Sequence, residues 1–375
     1  MSAEPVGGGG RRSFLLVDLS VVCGVVLAVL LAALVVWHGP RSVGARENAT
    51  TSVGHPSTTA RFVGADGPGP SPSTTAPTAA PTDVSPLTGL AVAPGGVPAD
   101  RRAIAVKIDG FGGVPAVYGV DRADLVVEEL VEGGLTRMVA VFQSQEAARV
   151  GPVRSVRTSD FQILAGLSRP VLVFSGGNPG TVAAAQLAPV LAFPPLHDDG
   201  VFWRDRALKP PHNLFTSTAG VASSVEPGNA PVPQFDRRPR GLAESGWPAA
   251  GVSVEFSAST SVGFVWSEAE HRWTRSLDGK PQLDGSGRAL VADNVVVLGT
   301  TYGRSPFDSH SPEAEPIGTG PAWVFADGRV QVGWWSRPTP GDRWQLRSLD
   351  GSPMYVSPGR TWVELAPAGS PVGIG

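Results

Sequence analysis

Apolar positions fall into four regimes along the chain. Phe14 to Trp37 is almost unbroken apolar sequence, with Asp18 near its start and no charge from Leu19 to Trp37. About 20 such residues cross a bilayer, so the pattern predicts one transmembrane helix over 14–37 behind a short polar head at 1–13. Residues 38–85 contain few large apolar side chains and many Ser, Thr, Pro and Gly. Such a stretch buries too little surface to offset its ordering entropy, and a disordered linker is expected. From 86 to 227, short apolar runs alternate with helical spacing, and from 249 to 375 short strands alternate with turns. The Pro-, Gly- and Arg-rich stretch 228–248 separates these two regions as an interdomain linker.

Within 86–227, Arg102 to Asp109 alternates as a strand with Lys107 and Asp109 on one face. Leu125–Val131 and Leu135–Phe142 are two further strands joined by Glu132-Gly133-Gly134, a turn of hairpin length. Thr158–Leu167 reads as a helix capped by Thr158 or Ser159, with Asp160 in its first turn. Arg169–Ser175 is a buried strand broken by Gly176-Gly177. Asn178-Pro179 opens a second helix that reaches about Leu187. A strand over Asn213–Thr216 and a helix over Ser217–Val225 complete a mixed α/β domain. Beyond 249, Asp-Gly pairs begin at Asp278, Asp284, Asp327 and Asp350. Asp327-Gly328, between two apolar runs, is a type I′ hairpin signal. A mostly-β domain, a sandwich or open barrel, is expected there.

Composition changes this picture in three ways. A net charge of -3 offers no basic stripe, so nucleic acid is not an expected partner. The one cysteine, Cys23, excludes an internal disulfide and a Cys-based metal site. Only three lysines occur, so anion contacts would fall to arginine, whose fork is permanently charged. Arg11 and Arg12 ahead of the apolar run favour a cytoplasmic N-terminus, which places the folded regions outside the cytoplasm. A cleaved signal with Val43-Gly44-Ala45 as its site is the alternative to a retained anchor.

Candidate chemistry gathers at Val150–Asp160, V-G-P-V-R-S-V-R-T-S-D. Two guanidiniums, Arg154 and Arg157, precede a helix start, and Arg137 is expected on the same edge; together they suit an anion. Glu128, Glu129 and Glu132 compete for them as ion-pair partners. Ser175 and Asn178, flanking Gly176-Gly177, form a second wall at a strand's carboxyl end. Asp205, His212 and Asn213 form a third, and Ser175–His212–Asp205 is conceivable as a triad, although the nucleophile-elbow spacing is missing. His197-Asp198-Asp199 are adjacent residues that diverge, so no metal is expected, and no cofactor either. Arg272, Trp273 and Arg275, with Trp266, Trp334 and Trp335, offer an aromatic face for sugars or, alternatively, core packing.

Several phrases carry a resemblance: Pro86-Leu87-Thr88-Gly89, A-V-K-I-D at 105–109, A-D-L-V-V-E-E-L-V-E-G-G-L-T-R at 123–137 and V-G-P-V-R-S-V-R at 150–157. F-S-G-G-N at 174–178, P-H-N-L at 211–214 and P-G-R-T-W-V-E-L at 358–365 continue it. Together these resemble the YerB-like lipoprotein family of bacteria, two consecutive domains of unknown function. The resemblance implies an extracytoplasmic, membrane-tethered protein and supplies no activity. Ser20-Val21-Val22-Cys23 departs from the sequence expected before a lipidated cysteine, so an apolar anchor at Phe14–Trp37 takes the place of the lipid. The expected function is a membrane-tethered extracytoplasmic binding protein for a cell-wall or phosphate-bearing, anionic or glycan ligand of the envelope. An envelope hydrolase or transferase acting on wall polymer or a lipid-linked precursor, and a structural scaffold, are the alternatives; no catalytic residue is assigned.

Overall fold

The computed structural model describes residues 83–110, 116–195, 200–242 and 245–375. The expected anchor at Phe14–Trp37, the tether as far as residue 82 and the His197-Asp198-Asp199 run lie outside these residues. Among the described residues no helix is long and apolar enough to cross a membrane.

The first half supplies β1 (Ile104–Asp109), β2 (Leu125–Leu130), β3 (Thr136–Phe142), β4 (Val171–Val173) and β5 (Leu191–Phe193). It also supplies the hairpin of β6 (Phe202–Arg204) and β7 (Leu214–Thr216), with helices α1 (Thr158–Leu164), α2 (Pro179–Ala185) and α3 (Thr218–Ser223). The rest is built of strands: β8 (Trp247–Pro248), β9 (Gly251–Ser257), β10 (Thr260–Ser267), β11 (Arg272–Leu277), β12 (Lys280–Pro281), β13 (Val291–Ala292) and β14 (Asn294–Thr300). There follow β15 (Tyr302–Ser305), β16 (Asp308–Ala314), β17 (Gly318–Ala326), β18 (Arg329–Arg337), β19 (Gln345–Ser348), β20 (Thr361–Pro367) and β21 (Val372–Ile374).

The molecule is mostly β. The α/β character expected for the first half is confined to three helices of six or seven residues. The chain leaves the α1 region through Ser168 and Arg169, both in the left-handed region at φ 57° and 59°, and enters β4 only at Val171. The helix expected to reach Leu167 ends at Leu164, with Gly166, a weak helix former, just beyond it and the left-handed pair completing the turn.

One sheet runs β19-β18-β17-β14-β20-β2-β3-β1-β4-β5, with β8 beside β18, and it does not close into a barrel. Late in the chain, β20 inserts between β14 and β2, parallel to both. Strands of the first and second halves thus share one hydrogen-bonded sheet. Every residue of β1 and of β14 is buried, as expected of strands covered on both faces. A second sheet, β12-β11-β10-β9-β21 with β13 beside β11, covers one face of the first. Its β9 alternates buried and exposed positions, one side in the core and one in water. Ile108, Met138, Val295, Phe264 and Trp362 belong to the core between the sheets. Val127, Val139, Ile163, Leu164 and Leu365 belong to the core on the opposite face, under α1.

Asp327 and Gly328, at φ 54° and 66°, join β17 to β18 as the expected type I′ turn. The linker at 228–248 packs closely: Leu242 is buried and Phe235 stacks on Trp344 with ring centroids 5.7 Å apart. The aromatic sugar face does not form. Trp273 and Arg275 point between the sheets and Trp335 enters the opposite core. Trp334 faces outward on β18, since successive side chains alternate, and Arg272 is exposed on β11.

Candidate functional site

Val150–Arg157 is an extended strap across the carboxyl end of β1. The Val153 amide donates to the Leu214 carbonyl of β7 at 2.8 Å, and the Arg154 amide to the Lys107 carbonyl of β1 at 2.8 Å. Further on, the Val156 amide donates to Gly176 and the Ser175 amide to Arg154, each at 2.9 Å. The strap approaches β7 closely at Gly151, where a Cβ would lie 2.8 Å from the Leu214 carbonyl oxygen. This threading brings residues from β1, β3, the strap and the segment before β7 to one edge.

The register of the sheet begins the site. Asp109 on β1 is the cross-strand partner of Arg137 on β3, and Arg137 is also the partner of Glu129 on β2. Cross-strand partners share a face, so three charged side chains lie in a row on the α1 side. Asp109 is buried and gives its two oxygens to different partners. Arg154 Nε is 3.0 Å from Oδ1, and His212 Nδ1 is 2.8 Å from Oδ2. Arg154 Nη1 also donates to the Pro211 carbonyl at 3.1 Å, which ties the strap to the loop carrying His212. Arg157 Nη2 donates to Glu132 Oε2 at 2.6 Å, and the Ser311 hydroxyl of β16 donates to the other Glu132 oxygen. Burial would raise the Glu132 carboxyl, but the Arg157 and Ser311 hydrogen bonds outweigh it and hold the group at about 2.

Arg137 stands apart from these pairs. Among the described residues it has no ion pair or hydrogen bond, and its Nη1 is buried without an acceptor. Burial, then the positive charges of Arg157 and Arg154, pull its guanidinium down to about 10, against the opposing pull of Glu132 and Asp109. Three guanidiniums thus face two carboxylates, and Arg137 is the one left unpaired. An anion arriving here would meet a guanidinium that burial has already partly desolvated.

The structure reassigns several expected partners. Glu128 and Glu129 do not neutralise the arginines. Glu128 points between the sheets to Arg275, 2.6 Å away, and Glu129 takes Lys107 Nζ at 2.6 Å. Alternation along β2 sends the two to opposite cores. Lys107 also donates to Asp160 Oδ1 at 2.7 Å, which makes a fully buried triad of one ammonium and two carboxylates. The start of α1 is not an anion site, because carboxylates of this chain already occupy it. Asp160 accepts from the Arg157 amide at 2.7 Å and Glu313 of β16 from the Thr158 amide at 3.2 Å. Arg157, rather than Thr158 or Ser159, occupies the cap position.

Of the eight expected site residues, Arg137, Arg154, Arg157 and His212 gather, and Ser175 adjoins them through its backbone bond to Arg154. The other three do not join them. Asn178 caps α2 through the Gly180 amide at 2.9 Å and donates to the Phe307 carbonyl at 3.0 Å. Asp205 pairs with Arg149 at 2.7 Å, and Asn213 accepts from Arg204 at 2.8 Å, so both stabilise the β6–β7 hairpin. The carboxylate on His212 is Asp109, which the triad Ser175–His212–Asp205 misplaced. The signal for Asp109 was present in A-V-K-I-D, where a charge on the buried face of a strand demands partners.

The model of DUF3048, a protein of unknown function, matches with its N-terminal domain over residues 87–230 and with its C-terminal domain over 252–363. A Bacillus subtilis protein named "Putative lipoprotein YerB" is 28% identical over 297 residues, which span 76% of this chain and 86% of the relative. A crystal structure of YerB protein from Bacillus subtilis shares the fold at a TM-score of 0.67 and 24% identity, covering 77% of this chain and 99% of that one. With both domain models matched in order and similarity running through both halves, the chain belongs to the YerB-like family.

Proposed function

We propose that the protein is a membrane-tethered, extracytoplasmic binding protein that captures the anionic group of a cell-envelope ligand at Arg137, Arg154 and Arg157. The observation that carries this reading is Arg137, a sheltered guanidinium without a partner among the described residues, held beside two further guanidiniums. Tethering outside the cytoplasm is supported by the lipoprotein name of the relative and by the apolar run Phe14–Trp37. The ligand is a phosphate- or carboxylate-bearing wall fragment or lipid-linked precursor, because Arg forks match those groups in geometry. The test is calorimetric titration of the full chain in lipid nanodiscs with muropeptides, inorganic phosphate and a lipid-linked precursor. Binding by one of these that falls at least tenfold in Arg137→Gln is expected; absence of binding by all three overturns the reading.

A second reading rests on His212. Its Nδ1 is held by a buried carboxylate, an arrangement that orients an imidazole for proton transfer at Nε2. An envelope hydrolase or transferase would use it as acid or base, and His212→Gln would then abolish turnover of a ligand that it still binds.

A further inference from the structure

A cavity lies at the opposite end of β1 from the arginine cluster, where β1 and β4 begin. It encloses about 290 Å³, close to ten water volumes. Ile104 and Val171, both buried, contribute to its apolar lining, with Ala222 of α3 and Val225. Arg102 lines it too, and its guanidinium is poorly satisfied. Nη2 reaches the Pro227 carbonyl only at 3.4 Å, Nε is buried without an acceptor, and no carboxylate pairs with it among the described residues. Its neighbour Arg101 differs in being paired with Glu146. Arg102 lies against Gly228, where an added Cβ would sit 1.9 Å from Nε. Any other residue at 228 would push the guanidinium away.

We infer that this cavity is a binding site for a small amphiphile with an apolar body and a single negative charge, a carboxylate in the first instance. The apolar lining takes the body by burial. Arg102 takes the head, since a guanidinium that no carboxylate pairs gains a charge-assisted hydrogen bond from an anion lodged in the cavity. Asp100 and Glu226, both exposed and lining the same cavity, make no ion pair with Arg102 and repel a second negative charge. The site therefore prefers a monoanion to a phosphate dianion, unlike the Arg137 cluster.

The test uses the full chain in lipid nanodiscs, carrying Arg137→Gln to silence the other anion site. Calorimetric titration with 4-phenylbutyrate, its neutral amide and acetate separates the contributions of head and body. For a ligand of about a dozen heavy atoms the expected dissociation constant for 4-phenylbutyrate is about 1 mM or below. The amide should bind at least tenfold more weakly, and acetate should not bind measurably. Ala222→Trp, which fills the cavity, should abolish binding. Gly228→Ala, which displaces Arg102, should bring 4-phenylbutyrate down to the level of the amide, and it serves independently should Ala222→Trp fail to fold. Equal binding of acid and amide, binding unchanged in both variants, or no binding of 4-phenylbutyrate overturns the inference.

Discussion

Charge in this molecule is placed residue by residue, and each placement has a measurable consequence. Arg137 is desolvated and repelled by Arg154 and Arg157, so Arg137→Gln should leave the unfolding midpoint unchanged or higher even as anion affinity falls; thermal unfolding beside titration checks both signs. Asp109→Asn acts in the opposite direction, because it leaves Arg154 without its carboxylate, and a loss of about 3 kcal/mol is expected in urea unfolding. Two glutamates contribute pH dependences of opposite sign. Burial raises Glu364 well above its ordinary 4.5, and the neighbouring Glu128 raises it further against the pull of Arg275. Its stabilising contribution is present in acid and is lost as the pH rises beyond 4.5 through the raised value. Glu132, held at about 2, contributes above 4.5 and loses that contribution as the pH falls toward 2. Stability should therefore peak in mild acid, and Glu364→Gln should flatten the decline on the alkaline side in urea titrations taken pH by pH. The sequence singled out Arg137, Arg154 and Arg157, yet it could not show that Arg157 takes Glu132 while Glu128 and Glu129 turn to Arg275 and Lys107. Those choices depend on which core each side of β2 meets.

Elements were legible where local chemistry determines them. The Asp327-Gly328 turn, the Asn178-Pro179 helix start and the β2–β3 hairpin through Gly133 and Gly134 all follow from backbone preferences within a few residues. Gly328→Ala tests the first of these. It forces an L-residue to φ 66° and sets a Cβ 2.6 Å from Trp266 Nε1, so a loss of about 1–3 kcal/mol is expected by chemical denaturation. Less legible was the role of the β15–β16 hairpin. Glu313 and Ser311 were unremarkable polar residues in the sequence, yet they reach Thr158 and Glu132 across more than a hundred residues of chain. Nothing local marks a side chain whose partner lies so far away.

For the whole molecule, the least legible feature is the place of β20. Sequence patterning separated 86–227 from 249–375 by composition, and the family models divide the chain similarly. Hydrogen bonding nevertheless runs through both, because Leu125–Glu129 pairs with Thr361–Leu365. A strand's own residues report that it is buried, not which neighbour buries it. Calorimetry on the full chain should accordingly give one cooperative transition across both halves, and chains ended before Thr361 should lose it. The same insertion has a consequence during biosynthesis. A ribosome makes β2 more than two hundred residues before the strand that will cover its edge. Until Thr361–Pro367 emerges, that edge offers unpaired amides and carbonyls to any other extended chain, as an amyloid seed does. Nascent chains are thus exposed to intermolecular pairing for most of their synthesis, and a slow, late-closing fold of this kind is a natural client for a holding chaperone.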